Sequence, residues 1–242
     1  MPKQPAKSAA VYLDEFVFSG YLNSTEQTVT PETPVVTSLG DAGPRRLMGN
    51  YDVGHSDQGF MDTADDSYDE QLFTAMGEAG DHYLTKMFAG TAEAAVAYDS
   101  IVKISGEPRS AAVGGAIVLN FDSQGAGGLV RGVVLRNADV VAAGNGTGQN
   151  TGITAAGVEY AVIFRLIAFV GTDITITVED SDDDGTDPWV LVAGLTSGAL
   201  AAPGVVRAST VLATKAWKRV AITGTITSAT ILVTAGTVMG TG

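Results

Sequence analysis

The segment Thr28–Asp57 reads TVTPETPVVTSLGDAGPRRLMGNYDVGHSD. Strand-forming residues stand on both sides of its centre, Ser38–Arg46, where two glycines and a proline fall within five residues. Such residues disfavour helix and favour a loop. The segment therefore predicts a strand, a projecting loop and a second strand. The loop carries Arg45 and Arg46, the only adjacent basic pair in the first 200 residues. We interpret it as an arm that contacts a neighbouring copy of the chain.

The composition favours a β protein that assembles. The chain has 242 residues, enough for one large all-β domain or two ordinary ones. Hydrophobic residues make up 45% and charged residues only 17%, so a large core is possible while few charges cover the surface. Such a surface favours association over a monomeric state. The 30 glycines suit many short strands joined by tight turns.

The charge balance argues against binding to nucleic acid. The formal net charge is −13, with 14 Lys and Arg against 27 Asp and Glu. Because sequence-independent DNA binding depends on basic residues at phosphates, the balance predicts repulsion of a polyanion or simple solubility. Cysteine is absent, which excludes disulfides and thiolate metal sites. We expect neither a secretory signal within Met1–Ala10 nor a membrane span, since no long apolar run occurs.

One helix is predicted, from residue 67 to residue 77. Ser67 and Glu70 have the spacing of a capping box. The apolar residues of the segment recur at the spacing of one helical face, namely Tyr68, Leu72 and Met76, with Phe73 beside them. The residues before the helix, His55–Asp66, are rich in aspartate and predict a loop.

The remaining pattern predicts strands in two domains. Strand-like segments follow the helix at residues 82–88, 95–105, 113–122 and 129–141. Residues 142–154 are small, polar and glycine-rich, which is typical of a linker. Beyond them apolar and polar residues alternate, as in separate strands at Val158–Leu166 and at Asp173–Glu179, where Ile174, Ile176 and Val178 form the apolar face. The spacing of these and later strands is typical of a β-sandwich. We therefore predict a β domain at 1–141 with projecting loop 38–46, a linker at 142–154 and a β-sandwich at 155–242.

Asp180–Gly185 matches the start of a calcium-binding loop. Asp180, Asp182 and Asp184 stand at the alternating positions, and a glycine follows, as such loops require. The twelfth position, where a bidentate glutamate is needed, is Leu191. The alternative interpretation is an acidic hairpin tip in solvent. Because the match to a calcium-binding loop is only partial, we favour the hairpin tip.

Other candidate sites are weak. His55 and Asp57, with Asp52 nearby, suggest a metal or acid–base pair, but a surface loop is the better interpretation. A nucleophilic serine needs a base beside it, and neither a Gly-x-Ser-x-Gly motif nor a P-loop occurs. We therefore predict no enzyme and no cofactor. Two interpretations of three aromatic residues remain open. Tyr160, Trp189 and Trp217 either form a sugar-stacking platform or are ordinary core residues.

An acidic segment follows the arm. Between Leu47 and Thr85 there are nine acids and no Lys or Arg. Either these acids form a solvated surface, or they form a negative surface at a subunit contact or beside a channel. In the second case Arg45 and Arg46 of another copy would be available partners. Single exposed ion pairs are weak, but their repetition around a closed ring can set the register of subunits.

Several short motifs, in this order, resemble the tail tube (major tail) proteins of long-tailed phages, the siphophages. They lie at Ser19–Asn23, Thr37–Asp41, Leu47–Gly49, Gly125–Gly128 and Val130–Val133, with the acidic segment and one helix between them. The second half is similar to the C-terminal part of larger members, which resembles a discoidin-like sandwich, at Val178–Asp182, Trp189 and Trp217–Val220.

The resemblance implies a β-sandwich or split barrel with a flanking helix, six copies in a ring, and rings stacked into a tube through which DNA passes. It implies that the arm touches the next ring through Gly40, Asp41, Pro44, Arg45 and Arg46, and that the second domain decorates the outside. The implied partners are the chain itself and other tail proteins such as tape measure, terminator and distal tail protein. DNA would pass without specific binding, in a virion made in the host cytoplasm.

Two alternatives stay open at this point. One is a phage decoration or adsorption module that binds glycan through Trp189 and Trp217 of its C-terminal sandwich. The other is a calcium-stabilised surface-layer or adhesin domain that uses Asp180, Asp182 and Asp184.

Overall fold

The all-β class with one helix is confirmed. The computed structural model describes residues 9–31, 33, 35, 51–61, 68–111 and 117–239. Its helix is α1 (Tyr68–Gly77), and its strands are β1 (Ala10–Leu13), β2 (Phe16–Val17), β3 (Leu22–Pro31), β4 (Tyr51–Phe60), β5 (His82–Met87), β6 (Val96–Gly106), β7 (Arg109–Ala111), β8 (Ile117–Gly125), β9 (Val130–Val140), β10 (Gly144–Asn145), β11 (Gln149–Asn150), β12 (Tyr160–Ser181), β13 (Val190–Leu200), β14 (Gly204–Thr210) and β15 (Trp217–Val238). In the described residues no helix is long and apolar enough to span a membrane.

The chain forms two compact units. The first unit comprises Met1–Ser19, Tyr83–Ser100 and Leu129–Gly242, and the second comprises Gly20–His82 and Ile101–Gly128. These units do not follow the boundary predicted at residues 142–154. The reason is that β10 and β11, which lie in the predicted linker, pair with β15 inside the first unit.

The first unit is built on one long antiparallel pair of strands, the β12–β15 ribbon. β12 and β15 pair antiparallel along their whole length, from Tyr160 opposite Thr237 to Ser181 opposite Trp217. The first half of β12 also pairs with β14, and its second half pairs with β13. β15 pairs with β9 through its second half and with β10 and β11 through its first. The two halves of the β12–β15 ribbon therefore belong to two different layers of strands.

The β12–β15 ribbon bends between these layers, so that its two halves enclose one core. The register of β12 and β15 shifts between Leu166 and Asp173. Inward side chains from both halves of both strands form a single hydrophobic cluster, which includes Val162, Phe164, Ile176, Val178, Val220 and Val233. This arrangement is a β-sandwich, because two sheets pack through their apolar faces.

Two glycines make the bend possible. Gly224 has a φ of +124°, and a Cβ there would lie 2.3 Å from the backbone oxygen of Asp173. A Cβ at Gly171 would lie 2.4 Å from the backbone oxygen of Thr225. Only glycine has no Cβ to collide at such close approaches of two backbones.

The second unit contains a sheet centred on β4 and β8. β4 pairs with β3 on one side and with β8 on the other, and β8 also pairs with β6 and β7. β3 and β4 form the predicted pair of strands around the arm, with Val29 opposite Val53. The arm itself, residues 38–46, lies outside the described residues, as does Ser67 of the predicted capping box.

The prediction of a loop at His55–Asp66 is wrong for its first part, because β4 continues to Phe60. Alternate residues of β4 are buried, namely Val53, His55, Asp57 and Gly59. The sequence pattern did not predict this strand, because polar residues occupy its inward face and the usual alternation of apolar residues is absent.

The predicted helix is confirmed, but its buried face differs from the prediction. Tyr68, Leu72 and Ala75 are buried. Met76, which the sequence assigned to this face, is 39% exposed, and Phe73 is 66% exposed. The helix begins beside Tyr21, whose ring stacks on that of Tyr68 with centres 6.1 Å apart.

Candidate functional site

The outer face of the β3–β4–β8 sheet is mostly polar, with Phe60 exposed at one end, and its strands have no Lys or Arg. Glu26 pairs across the strands with Ser56, and Ser56 pairs with Asp122. A hollow of about 410 Å³ lies at this row, and Thr28 and Gln124 also line it. The three strands contain acids but no Lys or Arg. Such a face repels a polyanion, since it offers no cation to a phosphate.

The outer edge of this sheet is β3. Within the part of the chain that the structure describes, β3 pairs only with β4. Natural edge strands are usually protected by lysines, prolines or bulges. β3 has a register shift between Leu22 and Ser24 and a proline at its last position, Pro31. The residues between carry neither lysine nor proline, so their backbone groups remain suited to pairing with another strand.

The inner face of the sheet holds the pair that the sequence suggested as an acid–base site. His55 is 5% exposed and Asp57 is 1% exposed. His55 stands between Gln27 and Ser123 on the neighbouring strands. The interpretation of His55 and Asp57 as parts of a surface loop is therefore wrong, because both lie inward on a strand. Asp52 points to the opposite face and is exposed, so the three residues do not converge.

The start of helix α1 covers acidic groups of this unit. Burial raises the pKa of Tyr68, and the negative charges of Asp57, Glu107 and Asp122 raise it further. The guanidinium of Arg109 joins Asp69 of the helix to Glu107, with Nη2–oxygen distances of 2.8 and 2.6 Å. These contacts hold the helix to the sheet and leave Tyr68 protonated.

The acidic tip between β12 and β13 is already filled by protein groups. The ammonium of Lys215 lies 3.2 Å from a carboxylate oxygen of Asp182 and also contacts Asp187. Asp180 accepts a hydrogen bond from the backbone nitrogen of Lys215, at 2.9 Å. Among the described residues, no group of three or more His, Asp or Glu side chains is arranged to hold a metal ion. The structure thus does not bring Asp180, Asp182 and Asp184 together as ligands.

The two tryptophans have packing contacts of different kinds. The guanidinium of Arg219 lies 4.6 Å from the centre of the Trp189 ring, and Arg219 also pairs with Glu179 at 2.7 Å. A Cβ on Gly185 would lie 2.6 Å from Nε1 of Trp189, so the ring also rests against the tip. Trp217 is half-buried opposite Ser181. Tyr160 is buried in the core. Trp189 thus fixes the acidic tip to β15.

A buried charged network that the sequence analysis missed lies in the first unit. Arg165, on β12, is fully buried and donates to the backbone oxygens of Asp14 and Tyr83 at 2.6 and 2.7 Å. It also donates to Thr85 Oγ1, and its Nη1 lies 4.0 Å from Asp99. An arginine inside the apolar run Ala161–Phe169 was the available signal, because a buried charge needs a partner.

Asp99 receives hydrogen bonds from two threonines. Thr85 and Thr234 both donate to its Oδ1, the second at 2.9 Å. Burial raises the pKa of Asp99, while the charge of Arg165 and these hydrogen bonds oppose that rise. The network joins β5, β6, β12 and β15 with the turn after β1, so it holds the first unit together from within.

The five predicted arm residues, Gly40, Asp41, Pro44, Arg45 and Arg46, lie outside the described residues. Their role as a contact between rings therefore stays a prediction.

No protein-family model and no curated protein matches the chain. The chain is similar to solved structures from virions, tails and phage adsorption apparatus. A chain of the virion of a native gene transfer agent particle is 20% identical, with a TM-score of 0.44, over 52% of this chain and 97% of that chain. A chain of the tail of an empty gene transfer agent particle, with C6 symmetry, is 18% identical, with a TM-score of 0.42, over 52% of this chain and 97% of that chain. The SPP1 Dit protein, from a hub adsorption apparatus of phages that infect Gram-positive bacteria, is 10% identical, with a TM-score of 0.40, over 95% of this chain and 98% of that chain.

Proposed function

We propose that the chain is a structural virion protein whose copies form stacked rings, which make up the tail tube of a long-tailed phage. The observation that carries this proposal is the β3–β4–β8 sheet, which combines a pairing-competent edge with a polar, base-free face. The short motifs that resemble siphophage tail tube proteins support the same function.

The edge of β3 supplies the means of self-association. An unpaired strand offers backbone donors and acceptors to a strand of another molecule. When the same pairing repeats around an axis, the edges disappear and a ring closes. In this proposal the ring has six copies, as the resemblance implies.

In this proposal the outer face of the sheet lines the lumen through which DNA passes. If Glu26, Ser56 and Asp122 face the lumen, DNA meets polar and acidic groups along this row and no cation. A lumen with Lys or Arg would hold phosphates, whereas this face lets DNA slide. The arm residues Arg45 and Arg46 would contact the next ring, and tape measure, terminator and distal tail proteins would be further partners.

Negative-stain electron microscopy of the purified chain at increasing concentration tests the proposal. We expect annuli or stacked tubes from the natural sequence. The double substitution Thr28→Lys and Thr30→Lys should abolish them, because lysines on an edge strand oppose pairing. A matched control adds two lysines at exposed positions of the first unit, Thr186→Lys and Ala201→Lys, and should still assemble.

Single dispersed particles at every concentration would contradict the proposal. Tubes of normal length from the Thr28→Lys, Thr30→Lys protein would exclude β3 as the associating edge. Replacing residues 38–46 by a short Gly-Ser loop tests the arm separately, because folded rings that fail to stack are expected.

A further inference from the structure

Asn145 is the only asparagine in the sequence that is followed by a glycine. Its side chain is exposed and makes no hydrogen bond to any residue that the structure describes. Glycine has no Cβ, so in an unordered chain nothing hinders the approach of its backbone nitrogen to the preceding side chain. Asn145–Gly146 therefore has the covalent pattern of a site at which asparagine deamidates spontaneously.

The deamidation reaction needs only water and a backbone that is free to turn. The backbone nitrogen of Gly146 loses its proton to solvent and forms a bond to Cγ of Asn145, while the side-chain nitrogen leaves as ammonia. Water then adds to one carbonyl carbon of the resulting cyclic imide and opens it. The products are aspartate and isoaspartate, and in isoaspartate the main chain runs through the former side chain.

In the folded chain the attacking nitrogen is already engaged. Gly146 donates its backbone N–H to the backbone oxygen of Val220, at 2.7 Å. Asn145 stands opposite Ala221, so this part of β10 is held against β15. Side chains of an extended strand point away from the backbone of their neighbours, which keeps Cγ of Asn145 from the nitrogen that would attack it.

We infer that Asn145–Gly146 is a site of covalent modification whose reactivity is set by the pairing of β10 with β15. While the two strands are paired, the nitrogen of Gly146 keeps its proton and the side-chain amide stays intact. When β10 is unpaired, the same exposed side chain reacts. The rate follows the population of the open form, because only that form reacts. The extent of modification therefore records how long β10 has been unpaired.

The modification also opposes renewed pairing. Isoaspartate lengthens the main chain by a carbon, which moves the backbone donors and acceptors after it out of register with β15. The next strand, β11, pairs with β15 through Gln149 and Asn150, so it also depends on that register. A chain modified while β10 is unpaired is thereby less able to complete the first unit.

Asn150 provides a comparison within the same chain. It is exposed on β11, and the nitrogen that follows it, that of Thr151, donates to the backbone oxygen of Ala216 at 3.0 Å. Pairing with β15 thus protects both asparagines in a similar way. Threonine is branched at Cβ, and this branch hinders the attack in an unordered chain. The two asparagines should therefore differ only when they are released from β15.

Peptide mapping by mass spectrometry, after incubation in mildly alkaline buffer, measures the reaction. In urea that unfolds the chain, Asn145 should convert to aspartate and isoaspartate, and Asn150 should remain largely intact. In the folded chain, Asn145 should convert at least about tenfold more slowly than in urea, because only the open form reacts.

Gly144→Pro tests the local pairing in the folded chain. Hydrogen-bonded pairs alternate along an antiparallel ladder, so residue 144, opposite Ile222, is the next donor after Gly146. Proline has no N–H to donate, and the variant should convert faster at Asn145. Gly144→Ala is the matched control, because it keeps the donor and its methyl group meets no atom within 4 Å. This control should react as slowly as the natural chain.

Refolding tests the effect on the first unit. After long incubation in urea, the natural chain should lose part of its capacity to refold. Asn145→Gln should retain that capacity, since glutamine reacts only through a larger ring. An equal loss in both chains would show that the modification does not oppose pairing.

Equal rates of conversion at Asn145 in the folded chain and in urea would overturn the inference. A folded Gly144→Pro chain that reacts no faster than Gly144→Ala would also overturn it. If Gly144→Pro does not fold, the comparison of the natural chain with and without urea still decides. These measurements concern the single chain, so their outcome does not depend on ring formation.

Discussion

The ammonium of Lys218 lies 5.2 Å from the centre of the Tyr160 ring, although these residues stand at opposite ends of the paired β12–β15 ribbon. Nζ of Lys218 also donates to the backbone oxygens of Gly152, at 2.7 Å, and of Lys215. The contact shows that the folded ribbon brings its two ends together. The sandwich therefore depends on the bend at its middle as much as on its apolar core.

The bend should be sensitive to a single methyl group. We expect Gly224→Ala to lower the free energy of unfolding by at least about 1–3 kcal/mol, because it forces a positive φ and a backbone collision. Urea denaturation measures this change. Gly204→Ala is the control, since no atom lies within 4 Å of the new methyl group. Equal stability of the two variants would contradict a role for Gly224 in the bend.

The buried network should be sensitive to removal of its cation. Arg165→Met should cost about 3–5 kcal/mol, because Asp99 then remains as an uncompensated buried charge. Adding Asp99→Asn should recover part of that loss. Arg207→Met, which breaks a partly exposed pair with Glu159, should cost about 0–1 kcal/mol. A small effect of Arg165→Met in chemical denaturation would show that the network is dispensable.

Lys218 should make stability depend on alkaline pH. Burial lowers its pKa from 10.5 to about 8, and the charge of Asp180 opposes this shift only in part. Between these values the unfolded chain binds more protons than the folded chain, so the free energy of unfolding rises with pH. The slope should approach roughly 1.4 kcal/mol per pH unit within this window.

Lys218→Met provides the comparison, because it removes the titrating group and keeps the length of the side chain. The difference in unfolding free energy between the natural chain and this variant should grow in favour of the natural chain from pH 8 to pH 10. A constant difference across that range would mean that Lys218 titrates near its ordinary pKa.

Calcium should have no effect on the natural protein. Lys215 already contacts Asp182 and Asp187, so a cation would have to displace its ammonium. The melting midpoint should be the same in chelator and in roughly 1 mM calcium, a concentration that saturates most such loops. A calcium-dependent midpoint in the natural chain would restore the calcium-loop interpretation.

Local patterns predicted much of the fold. The alternation of Ile174, Ile176 and Val178 with polar residues correctly indicated a half-buried strand, and those three side chains lie in the core. The strands around the arm and the helix after it were also predicted correctly. The predicted buried face of the helix was only partly correct, because Ala75 packs inward where Met76 was expected.

Long-range relationships were not predictable from these patterns. The sequence showed separate strands near Val162 and Ile176, yet they are halves of one strand. The bend between them depends on close backbone contacts at Gly171 and Gly224, which the pattern does not show. The segment predicted as a glycine-rich linker contains β10 and β11, because small residues suit a short strand beside β15 as well as a connection. Arg165 and Asp99 find each other only through the tertiary fold, 66 positions apart along the chain.

The position of β15 as the last described strand has a consequence for folding during translation. This strand follows every other described strand in the chain, yet it pairs with four of them, β9, β10, β11 and β12. While a ribosome is still translating residues before Trp217, the first unit lacks the strand that pairs with β9, β10, β11 and β12. Under the proposed function, a nascent chain would be unable to join a ring until translation has passed this strand.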